Sequence, residues 1–137
     1  MTKERKKLVR KLDDLCRKIL LIRDQSPAGY FRCISCHRLL PLHVFQVGHY
    51  ISRRYESFRW SLKNIHGQCS SCNGFHSGNP IEYRKSLVEL YGENEVAFME
   101  NIYRASPHYS TFDLNLKVQQ YKEILKAYEA GNGKNDQ

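Results

Sequence analysis

Two cysteine pairs frame the chemistry open to this chain. Cys33-Ile34-Ser35-Cys36 and Cys69-Ser70-Ser71-Cys72 both have the Cys-x-x-Cys spacing that lets two thiolates share one ion, and 32 residues lie between them. Four thiolates in a tetrahedron are what Zn²⁺ takes in structural sites, and a closed four-sulfur shell leaves no position for a substrate. Such an ion would stabilise short strands that cannot build a core of their own. No secretion signal opens the chain, and in that setting close cysteine pairs bind metal more often than they form disulfides. The fifth cysteine, Cys16, lies beside an apolar helical stripe and reads as a plain core residue.

Between and just after the pairs stand residues suited to phosphodiester hydrolysis. That reaction needs a deprotonated water, a cation for the developing charge and relief for the leaving oxygen. An imidazole titrating near neutrality can take the proton. His49 follows Gly48 at the end of one short strand, Asn64 opens the next, Asn73 directly follows Cys72, and His76 comes three residues later. His49 is therefore assigned as general base and Asn64 as its orienter, with Asn73 and His76 as candidate ligands of a catalytic metal. A lone histidine is more often solvated or core than catalytic; the position of His49 in frame with both cysteine pairs and Asn64 reverses that prior. Taken alone, Asn64 reads as a turn residue and Asn73 as a helix N-cap. His66 faces either the cleft or solvent, and His37, His43 and His108 read as surface residues.

The elements that must position these groups follow from periodicity. Leu8, Leu12, Leu15, Ile19 and Ile22 make one apolar stripe, predicting a helix over 4–24 that ends at Ser26-Pro27-Ala28-Gly29. Residues 30–42 are turn-rich, 45–51 and 65–68 are short strands, and 56–63 is a loop. Asn79-Pro80-Ile81-Glu82 predicts a helix start with a capping box, and Gly92 a helix end. Further helices cover 93–105, stopping before Pro107, and 111–131, where Leu114, Val118, Tyr121, Leu125 and Tyr128 again alternate four and three. Both four-three stripes have the pattern of a helix-pairing seam, in a homodimer or on the chain's own core. The expected divisions are a basic N-terminal helix (1–29), a zinc-bound core (30–92), C-terminal helices (93–131) and a disordered tail (132–137).

Charge points to a polyanionic partner. Of the 137 residues, 41% are hydrophobic and 26% charged, the balance of a soluble globular protein. Residues 1–63 carry 15 Lys and Arg against 5 Asp and Glu, whereas 64–137 carry 7 against 9. A phosphate backbone suits the basic half. Arg53, Arg54, Arg59 and Lys63, with Tyr55, Phe58 and Trp60 interleaved, would hold phosphates and stack on opened bases. Lys6, Lys7 and Arg10, with Lys3, Arg5 and Lys11, would add sequence-independent affinity. No apolar run is long enough to span a bilayer, so a cytoplasmic location without a membrane role is expected.

The motifs in order are Cys33-x-x-Cys36, Gly48-His49-Tyr50, Arg59, Asn64-Ile65-His66-x-Gln68-Cys69-x-x-Cys72-Asn73 and Ser77-Gly78-Asn79-x-x-x-Tyr83-Arg84. Over residues 30–92 this resembles the HNH (ββα-metal) nucleases and, more closely, the NinG (Rap) recombination endonucleases of lambdoid phages. The layout is also similar to phage T4 endonuclease VII, which places an Asn directly after its last zinc cysteine as a metal ligand, the role this implies for Asn73. The resemblance implies cutting of branched DNA, such as Holliday junctions and D-loops, with Mg²⁺ or Mn²⁺. It also implies an acidic ligand directly before the histidine or three residues before it, where this chain has Gly48 and Gln46. The remaining ligand set is His49 itself, or Gln46, Asn73 and His76; being rich in nitrogen, it favours Mn²⁺, Ni²⁺ or Zn²⁺ over Mg²⁺.

The expected fold class is thus α+β: a small zinc-stapled ββα-metal (HNH) core with flanking α-helices, mostly helical overall. The expected function is a metal-dependent, structure-selective DNA endonuclease. A non-catalytic zinc-containing DNA-binding module with a degenerate HNH pocket is the alternative. A homing or restriction nuclease is disfavoured by the small size and the lack of a recognition domain.

Overall fold

A computed structural model describes residues 1–105 and 108–131. Helix α1 (Lys3–Arg23) starts on Thr2, whose Oγ1 accepts from Arg5 N at 3.1 Å. Two antiparallel hairpins follow: β1 (Tyr30–Arg32) with β2 (Leu39–Pro41), and β3 (Phe45–His49) with β4 (Ile65–Cys69). In the second, Phe45 faces Cys69 and His49 faces Ile65. The link between β3 and β4, expected to be a loop throughout, carries the four-residue helix α2 (Glu56–Arg59). After β4 comes a π-helical turn, Ser71–Phe75, then α3 (Pro80–Tyr91), α4 (Glu93–Ile102) with a 3₁₀ turn at Tyr103–Ala105, and α5 (Thr111–Glu129). A capping box between Ser110 and Asp113 begins α5. The expected stop before Pro107 and the 132–137 tail lie outside the described residues.

The capping box predicted for Asn79 and Glu82 does not form. Asn79 adopts a left-handed conformation (φ 43°), and its amide donates to Cys72 Sγ at 3.5 Å instead of capping the helix. Glu82 pairs with Lys85. The sulfur cluster has taken the side chain that the local pattern assigned to the helix end.

The stripes of α1 and α5 meet each other within the chain. Leu12, Ile19 and Leu20 of α1 and Leu114 of α5 are fully buried, together with Phe31, Cys33 and Ile65 from the hairpins. A second core joins Ile51 to Tyr83 and Leu87 of α3 and to Val96 and Met99 of α4. Because the four-three spacing is satisfied in cis, it no longer argues for a dimer.

Three side chains of α1 fasten it to the segment joining β3 and β4. Arg5 binds Glu56 (Nη2 to Oε2, 2.6 Å), Asp13 binds Arg59 and Trp60, and Arg23 donates to the carbonyls of Leu62 (2.6 Å) and Ile65 (2.8 Å). Asp24, bonded to Arg23, also accepts from Gly67 N at 2.8 Å. The helix therefore braces the link between β3 and β4 and the first residues of β4. Among the described residues no helix is long and apolar enough to cross a membrane.

Candidate active site and metal centre

The thiol sulfurs of Cys33, Cys36, Cys69 and Cys72 all lie within 4.8 Å of one another. Cys36 Sγ and Cys69 Sγ are 3.9 Å apart, close to the roughly 3.8 Å edge of a tetrahedron with Zn–S bonds of about 2.3 Å. Amide groups already face the sulfurs: Cys36 N and Cys69 N point at Cys33 Sγ (3.5 and 3.4 Å), and Cys72 N at Cys69 Sγ (3.4 Å). Burial opposes ionisation of Cys36, but Arg38, through its guanidinium and backbone N–H, overcomes it and brings the thiol down to about 6. The donor set fits a structural zinc ion, and the cluster joins the β1–β2 turn to the end of β4.

On the other side of β3 an open cavity of about 710 Å³ lies between the strand, α1 and the segment after the π-helical turn. His49, Gln46 and Asn73 line it, as sequence reasoning anticipated, and so do Asp13, Asp14 and Arg17 of α1, which it missed. The available signal was two adjacent acids on the polar side of an otherwise basic helix. His49 Nε2 lies 3.0 Å from the carbonyl oxygen of Arg59. A carbonyl only accepts, so Nε2 carries the hydrogen and Nδ1 keeps its lone pair. Nδ1 has no hydrogen-bond partner among the described residues. Burial, chiefly, holds the His49 pKa below its ordinary value, against the upward pulls of the Arg59 carbonyl and Asp13. The ring is thus held in its neutral form at physiological pH, with the Nδ1 lone pair open to a proton.

Asn64 does not touch this ring. Its amide is fully buried and bonds the backbone of Ile51 (N to Oδ1 2.7 Å; Nδ2 to O 3.0 Å) and the carbonyl of Phe58 (3.0 Å). The direct orienter is the Arg59 carbonyl; Asn64 acts by closing the 51–58 loop that leads to it. Tyr83, buried in α3, donates its hydroxyl to Gly48 O at 2.8 Å and so holds the strand beside His49.

Other assignments change. His76 is exposed, packs edge-on against Phe75 and does not line the cavity. Asn73 Nδ2 donates to Gln46 Oε1 at 2.7 Å, which occupies the glutamine oxygen. Gly48 is compelled by its neighbour: a β-carbon there would overlap the Gln68 amide oxygen and lie 2.8 Å from Gln68 Cβ. His66 faces neither cleft nor solvent but is buried, with Nε2 2.9 Å from Tyr91 Oη. Cys16 is buried as expected and also borders the cavity, and burial pushes its thiol far up. Apart from the four cysteines, no group of three or more His, Cys, Asp or Glu side chains converges among the described residues. A second ion would have to be held by one imidazole and two side-chain amides, the His49, Gln46 and Asn73 that line the cavity.

Of the expected DNA contacts, Arg53, Arg54, Lys6, Lys7 and Arg10 are exposed. Arg59 is committed to Asp13, Lys63 to Glu95, and Arg5 to Glu56. Trp60 is buried and Tyr55 packs on Tyr103, so neither is free to stack on a base. Their apolar area serves the core instead.

The fold and its sulfur cluster define a small, mostly helical α+β protein with four clustered cysteines that could hold zinc. The family model for the bacteriophage lambda NinG protein matches residues 1–134, and the chain belongs to the NinG family. It is 36% identical over 70 residues to protein ninG of Escherichia phage lambda, covering 50% of this chain and 34% of that protein. It is 32% identical over 95 residues to protein ninG of Salmonella phage P22, covering 69% of this chain and 46% of that protein. The matched stretch thus spans under half the length of these curated relatives. No solved structure matches.

Proposed function

We propose that this chain is a structure-selective DNA endonuclease of the HNH type, acting on branched recombination intermediates such as Holliday junctions or D-loops. The observation that carries the reading is the state of His49. A neutral imidazole with Nε2 pinned and Nδ1 unpartnered borders an open cavity edged by Arg17 and Arg53. Such a ring can take a proton from water beside a phosphate held by those arginines. The exposed Lys7 and Arg10 on α1 extend the basic surface beyond the cavity and suit backbone phosphates. A divalent ion, Mg²⁺ or Mn²⁺ and also Ni²⁺ or Zn²⁺, would supply charge neutralisation at the phosphate when bound. The chain's own part is to hold the base, present cations and anchor the strands through the cysteine cluster.

A second reading, a non-catalytic DNA-binding module, draws support from there being no second converging group of His, Cys, Asp or Glu among the described residues. One experiment separates the two. Purified protein is mixed with linear duplex, four-way junction and flap substrates under Mg²⁺, Mn²⁺ or Ni²⁺, beside a His49→Ala variant. The nuclease reading expects cleavage of branched substrates that falls at least about a hundredfold in the variant. Tight binding without cleavage under every metal would establish the binding module, and cleavage indifferent to His49→Ala would remove the ring from the mechanism.

A further inference from the structure

We propose that Asp13 of α1 is a positioning residue for His49. It fixes the Arg59 carbonyl that fixes the imidazole. The inference rests on reading His49 as the base.

The geometry is specific. The oxygen that accepts from His49 Nε2 belongs to the peptide group joining Arg59 to Trp60. Asp13 holds the side chains on both sides of that peptide. Its Oδ2 accepts from Arg59 Nη2 at 2.7 Å, and its Oδ1 accepts from Arg59 Nε at 3.2 Å and from Trp60 Nε1 at 2.8 Å. The peptide needs this support, because α2 ends at Arg59 after four residues and a single turn does not hold itself. Trp60 is buried, so its indole sets the depth of the peptide, and the Arg59 guanidinium sets its rotation. A backbone carbonyl so constrained permits one tautomer of the ring it faces. The carboxylate also places negative charge at the cavity wall, where a proton-accepting imidazole gains positive charge.

The test reads the ring itself. In protein with ¹⁵N-labelled histidine, long-range ¹H–¹⁵N correlation reports which nitrogen bears hydrogen. The wild type is expected to show His49 as the Nε2–H form. Asp13→Ala should release the peptide, mix the tautomers and draw the two ¹⁵N shifts together. Asp13→Asn, nearly isosteric and still able to accept from Trp60, should fall between. Junction cleavage by Asp13→Asn should lose about tenfold or more in kcat with little change in KM. A wild-type ring protonated at Nδ1 would overturn the proposal, as would wild-type ring shifts in a folded Asp13→Ala protein. If Asp13→Ala does not fold, unchanged shifts in Asp13→Asn overturn it equally. The spectra need no cleavage, so an inactive wild type would sink the nuclease reading while leaving this one to be judged on the ring.

Discussion

Asn64 shows how a polar residue can govern a site it does not touch. Its amide makes two buried hydrogen bonds to the backbone of Ile51 and a part-buried one to Phe58. Removing it would strand the N–H and carbonyl of Ile51, each costing about 1–3 kcal/mol when unpaired, whereas the Phe58 carbonyl keeps the N–H of Ser61. Asn64→Ala is therefore expected to lose about 2–4 kcal/mol in denaturant unfolding; a loss under about 0.5 kcal/mol would mean the loop closes without it. The sequence identified this residue correctly as special but assigned it the wrong partner. Spacing can say that His49 and Asn64 lie at the ends of adjacent strands, but it cannot say which of two nearby acceptors a ring will choose. Asp13 was hard to place for a related reason: adjacent acids stand out on a basic helix, but its partners lie 46 and 47 residues away, and nothing local says which element it faces.

At the scale of elements, the cysteine cluster ties a turn near residue 34 to a turn near residue 70 and closes both hairpins. Strands of three to five residues bury little by themselves. Stripping metal with a strong chelator should therefore remove the near-ultraviolet dichroism of the hairpin region while leaving much of the helical signal of α1 and α5. Metal analysis is expected to return one zinc per chain; a metal-free preparation with unchanged spectra would discard the clamp. The long helices were legible because apolar residues at spacings of three and four leave little choice of buried face. The β1–β2 hairpin and α2 were not, since elements of three or four residues are too short to show a period. They owe their form to contacts such as Arg5 with Glu56.

For the whole molecule, the buried His66 and Glu56 give stability one direction with pH on the acid side of neutrality. Burial, and then the nearby Arg23, hold His66 well below its usual pKa. Unfolded chains bind that proton near pH 6.5, so below this pH the unfolded state holds more protons and stability falls as pH falls. Glu56 adds to the slope at lower pH. Burial disfavours its charge, but Arg5, the Tyr109 amide and His108 outweigh that and depress its pKa. Its contribution is present above about pH 4.3 and is lost as pH drops through the folded value. Melting temperature should decline steadily from about pH 6.5 towards pH 4. His66→Phe should flatten the upper part of the decline; a wild-type curve flat down to pH 5 would contradict the burial of a neutral His66. Finally, α1 acts as a gauge for the chain segment it braces. Arg5 and Arg23 stand 18 residues apart, which is five turns, so they emerge on one face about 27 Å from each other. Their partners, from Glu56 to Ile65, must match that interval. A single residue inserted into the helix between the two arginines would swing one anchor by about 100° relative to the other, uncoupling the two halves of the brace, whereas the same insertion in the turn at Pro27–Gly29 would leave the gauge intact.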